Sequence, residues 1–141
     1  MESEAKTYIG VKKVHAYPEE RDGKPGYAVI YEDGYKSWSP KDVFERAYLE
    51  VFYDDKCRPD DVFRFCREST EEVARFGEVI QVCHTTLPTG FQVLGTNCDS
   101  LVYPFDDDGD AYYCKGRIMY KVLDYLNFVM KWACNGLKPN K

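Results

Sequence analysis

At 141 residues the chain has length enough for one hydrophobic core and not for two comfortable ones, so a single domain spanning 1–141 is expected. Its 24 acidic and 19 basic residues give a formal charge of −5, which argues against a long nucleic acid held through its phosphates. No apolar run approaches a membrane span, and MESEAKTY lacks the basic and apolar regions of a signal peptide. Cys57, Cys66, Cys83, Cys98, Cys114 and Cys134 are therefore expected as reduced thiols of a cytoplasmic protein.

Residues 9–17 are rich in β-branched and aromatic side chains and stop at Pro18, which predicts a first strand. The polar segment 19–26 reads as a loop. Residues 27–31 and 35–38 read as two strands about Glu32-Asp33-Gly34, where Asp-Gly supplies the positive φ of a tight turn. Ser39-Pro40-Lys41-Asp42 then offers a capping hydroxyl, a proline at the first helical position and a carboxylate three residues after the cap. The helix beyond it runs to about Tyr48, with Val43, Phe44, Ala47 and Tyr48 on its buried face.

Pro59 opens a second short helix through Arg67 that buries Val62, Phe63, Phe65 and Cys66. Ser69 and Thr70 then cap a brief turn ending at Gly77, which makes 59–77 a stretch of short helices. Residues 79–87 and 91–96 are strands flanking Pro88-Thr89-Gly90. An acidic loop, Asp106-Asp107-Asp108-Gly109-Asp110, leads into the strongest periodic signal of the chain, a helix over about 112–135 ended by Asn135-Gly136.

That helix carries two apolar rows. Tyr112, Gly116, Met119, Leu123, Leu126, Met130 and Ala133 form one, and Ile118, Val122, Tyr125, Val129 and Trp132 the other. Covering both takes a sheet and a neighbouring helix, or a second subunit. The polar strip between them holds Arg117, Lys121, Asp124 and Lys131. Within 111–141, six Lys and Arg stand against Asp124 alone, a local +5 that leaves −10 for the rest of the −5 chain. A small anion at this helix meets a positive field inside an acidic protein.

Tests for chemistry are mostly negative. The alternating Asp106, Asp108 and Asp110 suggest calcium, but an EF-hand register puts Pro104 at the first ligand position and Lys115 at the last. Capping of the helix N-terminus explains these carboxylates instead. No two cysteines form a C-x-x-C pair and His15 is far from His84, which leaves no expected metal site. Cys83 and His84 are strand neighbours pointing to opposite faces, so they form no dyad with each other. No nucleophile elbow, P-loop or G-x-G-x-x-G occurs, and no cofactor is expected. What remains is aromatic richness, 12 Tyr and 8 Phe, beside a basic helix. Phe91 can stack on a base, Asn97 can read a base or ribose, and Arg117 with Lys121 can clamp a phosphate. The structural alternatives are a core ring, a turn residue and a solvated face.

Two stretches carry a resemblance. Tyr8-Ile9-Gly10 together with Asp33-Gly34-Tyr35-Lys36-Ser37-Trp38-Ser39-Pro40-Lys41-Asp42-Val43-Phe44 resembles a leader module of small phage and prophage proteins. The stretch from about Ile80 through Thr89-Gly90-Phe91-Gln92-Val93-Leu94-Gly95-Thr96-Asn97-Cys98 and Phe105-Asp106 into the helix resembles small phage proteins built as a hairpin and a long helix. Among characterised proteins this is similar to the Thoeris anti-defence sponges. The resemblance implies a phage protein in the host cytoplasm that binds a cyclic ADP-ribose isomer or a cyclic oligonucleotide without cleaving it. It implies a homodimer or homohexamer with the pocket at a subunit interface. It places Phe91 on adenine and Arg117 on phosphate, with Asn97 as the polar residue after the second strand. Lys121 stands where another arginine is expected, and Arg64 or Arg67 supplies a further cation. The expected fold is α+β: antiparallel hairpins, short helices and a long C-terminal helix. Inhibition of a host protein by direct binding, and degradation of a nucleotide, are the alternatives.

Overall fold

The structure, a computed structural model, describes residues 4–77, 80–97 and 107–137, with side chains for all of these except 97 and 107–114. The α+β class is what the sequence predicts: two three-stranded antiparallel sheets, short helices and one long helix. The chain forms two compact units, Met1–Glu50 with Val129–Lys141, and Val51–Phe128.

In the first unit β1 (His15–Pro18), β2 (Gly26–Ile30) and β3 (Lys36–Pro40) pair in the order β1-β2-β3. β1 is shorter than the 9–17 apolar run suggests and is exposed throughout, as an edge strand packed by neither face. β1 and β2 are joined by a tight turn in which Asp22 and Gly23 both adopt positive φ, +51° and +76°, the two-residue turn that matches strand twist. The predicted loop 19–26 is thus itself a hairpin end. Its backbone closes through Arg21 N–H to Lys24 O at 2.9 Å and Lys24 N–H to Arg21 O at 2.8 Å. At the second turn Gly34, at φ +89°, donates to Tyr31 O, as the Asp-Gly pair predicts. Trp38 lies against Gly26, where any Cβ would collide with the indole, and its Nε1 donates to Glu19 O at 2.7 Å.

Helix α1 (Lys41–Ala47) begins one residue later than expected. Ser39 and Pro40 are still paired with Tyr27 and Gly26 in the sheet, so Pro40 becomes the N-cap and the Ser39 hydroxyl donates to Pro40 O instead of capping. The expected buried face is also narrower. Val43 is 60% exposed and Ala47 is exposed, while Phe44 stacks between Tyr27 at 4.4 Å and Tyr48 at 4.8 Å. A helix of seven residues presents one ridge to a sheet, and here the ridge is Phe44–Tyr48.

The second unit opens with an irregular segment held by side chains. α2 (Pro59–Phe65) starts with Pro59 at its first turn, and fully buried Asp61 accepts from Arg58 N–H at 2.8 Å and from Phe52 N–H at 3.0 Å. Asn127 takes both backbone groups of Cys57: its Oδ1 accepts the amide at 2.7 Å and its Nδ2 donates to the carbonyl at 3.1 Å. Val62 is buried as predicted, but Phe63 is 61% exposed, because it lies about 100° around the helix from Val62. A 3-10 turn, Cys66–Glu68, comes next. Residues 70–77, expected as a capped turn, form strand β4 (Thr70–Phe76). It pairs with β5 (Ile80–Thr86), which pairs with β6 (Gln92–Asn97).

The long helix α3 (Asp107–Asn135) begins five residues before the expected start, so Asp107, Asp108 and Asp110 belong to its first turn. Asp106 lies outside the described residues. Gly136, at φ +65°, ends the helix and donates to Trp132 O at 2.8 Å. Ile118 and Val122 of one apolar row are buried with Val62, Cys83, Leu87 and Val93, and Met119, Leu123 and Leu126 of the other pack against the same cluster. Between Ile118 and Leu126 a sheet and a short helix thus share members of both rows inside one unit. Each fully buried aliphatic side chain there contributes about 1.5–3 kcal/mol.

Candidate functional site

The β5–β6 turn sets the alternation of its whole sheet. Leu87 N–H donates to Phe91 O and Gly90 N–H to Leu87 O, both at 2.8 Å, with Gly90 at φ +86°. This is a three-residue hairpin loop whose glycine takes the left-handed position. Because Leu87 and Phe91 form a hydrogen-bonded pair, Gln92, Leu94 and Thr96 aim their backbone groups away from β5, at the open edge of the sheet. Cys83, Thr85, Leu87, Val93 and Gly95 are buried, while 52%-exposed Leu94 lies on the other face.

α3 runs antiparallel to this edge and leans three residues onto it, spaced one turn apart. Tyr125 meets Phe91 edge to face at 5.6 Å and 82°. Lys121 Nζ donates to Leu94 O at 2.6 Å, and Arg117 Nη1 donates to Thr96 O. Phe91, Lys121 and Arg117 therefore lie on one line along β6, with the backbone of Asn97 at the end of the strand. The Asn97 side chain is outside the described residues. Phe91 is 58% exposed and keeps ring surface open to a planar ligand.

The electrostatics of the line favour anions. A carbonyl accepts a proton donor without neutralising the cation, and an ammonium has three donors, of which Lys121 spends one on Leu94. Lys121 makes no ion pair among the described residues. Lys115 is different. Its ammonium sits 3.0 Å from Glu71, and the hydrogen bond and charge of that carboxylate hold the Lys115 pKa above the ordinary lysine value.

Arg64 and Arg67 come from other elements. On α2 the Arg64 guanidinium lies 4.4 Å above the ring of Phe52, which precedes that helix, and Arg67 is exposed on the 3-10 turn. Tyr125 and the carbonyls of Leu94 and Thr96 were not among the expected participants. The signal for Tyr125 is its place four residues beyond Lys121 on the same helix face, which continues the Arg117–Lys121 spacing.

A shallow groove of about 550 Å³ lies in the first unit, lined by Lys12, Lys13, Tyr31, Glu32, Asp33 and Tyr35 among others. Its charges are of both signs, so it does not single out an anion. Cys83 is buried and His84 lies on the opposite face, 3.0 Å from Gln92 Oε1, as strand alternation requires. Burial pushes the Cys66 thiol pKa up. Among the described residues no three His, Cys, Asp or Glu side chains gather closely enough to hold a metal ion. No helix there is long and apolar enough to cross a membrane.

Searches of protein families, curated proteins and solved structures find no match to this chain.

Proposed function

We propose that this protein captures a nucleotide-derived signal, a cyclic ADP-ribose isomer or a cyclic oligonucleotide, and holds it without cleavage in a host cytoplasm, as a phage counter-defence protein. The observation that carries this reading is the single line of Phe91, Lys121 and Arg117 along β6. Phe91 and Leu94 are three residue steps apart along the chain, about 10 Å. That is the scale on which a purine ring and its phosphates are separated by ribose. A phosphate oxygen is a stronger acceptor than a neutral carbonyl, so it can share or displace the β6 carbonyls on Lys121 and Arg117. Phe91, Tyr125, Lys121 and Arg117 supply stacking and positive charge, and no carboxylate or imidazole belongs to the set. That set suits binding better than hydrolysis. Asn97, and Arg64 or Arg67, complete the ligand shell in the reading drawn from resemblance, which also sets the pocket between subunits of a homodimer or homohexamer.

The test is to mix the protein with cyclic ADP-ribose isomers and with cyclic dinucleotides, remove unbound ligand by filtration, heat the protein and chromatograph what is released. Intact ligand is expected. Phe91→Ala and Arg117→Ala should each weaken uptake about 10- to 100-fold, the loss of a stacked base or a charge-assisted hydrogen bond. Recovery of a cleaved product would replace the sponge with an enzyme. Absence of uptake would favour the second reading, binding of a host protein, which is supported by the exposed rings of Tyr120, Phe128 and Phe63, at 74%, 69% and 61%.

A further inference from the structure

β6 is an edge of its sheet, and its backbone there carries donors as well as acceptors. Val93 and Gly95 bond to β5, so the peptide groups of Leu94 and Thr96 point outward, on the side from which Lys121 and Arg117 reach their carbonyls. In an antiparallel strand the N–H and C=O of one residue point the same way. The outward N–H groups of Leu94 and Thr96 therefore lie beside the two cations. Among the described residues nothing accepts from either amide, and both residues are exposed.

The edge thus repeats one arrangement twice. Leu94 N–H stands with the Lys121 ammonium, and Thr96 N–H with the Arg117 guanidinium. Each set offers a neutral and a charged donor to an anionic oxygen. Lys121 has three donors and spends one on Leu94, and the five donors of Arg117 can serve such an oxygen beside the acceptors it already has. Two residue steps along a strand separate the sets by about 7 Å. On α3 the two cations are four residues apart, about 6 Å along the axis. Side chains can converge on a smaller group, but main-chain amides of one strand point in parallel and keep their spacing.

Building on the nucleotide capture proposed above, we infer that this edge recognises two phosphates with one ribose between them, as in an oligonucleotide, in preference to a pyrophosphate. Parallel amides about 7 Å apart need acceptor oxygens at the same spacing. Phosphates that share a bridging oxygen are too close together to supply them. Phosphates on the 3′ and 5′ oxygens of one ribose reach that far. Of the two ligand classes named above, the cyclic oligonucleotide fits this spacing, and cyclic ADP-ribose, whose phosphates share an oxygen, does not.

Adenosine 3′,5′-bisphosphate and ADP test the spacing, because they share base, ribose and number of phosphates and differ in where the second phosphate sits. In titrations of the full chain followed by nitrogen-15 amide spectra, the bisphosphate should shift the Leu94 and Thr96 amides. It should also bind about tenfold or more tightly than ADP, the weight of one charge-assisted hydrogen bond. Thr96→Pro removes one outward amide without removing a ladder bond or a charge, so it should abolish that preference, with far-ultraviolet ellipticity reporting the fold. Binding of ADP as tight as that of the bisphosphate, no shift at the two amides, or a preference that survives in folded Thr96→Pro would overturn the inference. Uptake of cyclic ADP-ribose together with any of these results would leave nucleotide capture standing. Rejection of every cyclic nucleotide by a chain that prefers the bisphosphate would discard that capture and leave the phosphate spacing.

Discussion

Asp61 is fully buried at the start of α2, and its two carboxylate oxygens hold the amides of Phe52 and Arg58. Asp61→Ala leaves two amides without their acceptor, at about 1–3 kcal/mol each. We expect a loss of about 2–4 kcal/mol in urea unfolding and faster hydrogen exchange at those two amides, with Asp61→Asn intermediate. Thr85 is the opposite case. It is 3% exposed on the helix-covered face of β5, and its hydroxyl has no hydrogen-bond partner among the described residues. Thr85→Val keeps the shape and removes an unsatisfied oxygen, so it should raise stability by about 1 kcal/mol in the same titration. Asp61 was hidden in the sequence because nothing distinguishes it from Asp60 until the chain is seen to return from Phe52. Pro59 and Val62 were legible because proline at a helix start and an apolar position beyond it act locally.

Among the elements, the strands with glycine turns were readable, since Asp33-Gly34 and Thr89-Gly90 announce positive φ by residue type. β4 was not. An edge strand with neither face packed has no reason to alternate apolar with polar, and Thr-Glu-Glu-Val-Ala-Arg-Phe contains more helix formers than strand formers. Its strand state comes from the unpaired side of β5. The candidate site divides likewise: Arg117 and Lys121 are visibly one helical turn apart, but their docking on β6 depends on how Ile118 and Val122 seat in the core. Removing both cations by Arg117→Ala with Lys121→Ala should uncover two edge acceptors. Expected consequences are a modest loss of stability, about 1–2 kcal/mol, and increased light scattering on standing at neutral pH.

For the molecule as a whole, the resolved titration shifts point to alkali. Burial, and then the nearby Tyr31, pushes the Tyr48 phenol above the ordinary tyrosine value, and Glu71 raises Lys115. In both cases the folded chain binds the proton more tightly than the unfolded chain. Stability is therefore intact below about pH 10 and falls as pH rises through the folded values. Urea midpoints measured on either side of about pH 10 should drop toward alkali, and Tyr48→Phe should reduce the drop.

Both tryptophans, Trp38 and Trp132, belong to the unit made of Met1–Glu50 and Val129–Lys141, and the unit Val51–Phe128 has none. Indole emission therefore observes one unit alone, while far-ultraviolet ellipticity, with the greater part of α3 in Val51–Phe128, observes both. If the chain melts as one cooperative body the two signals will coincide; if its units melt separately they will part, with emission following only the unit that carries the indoles.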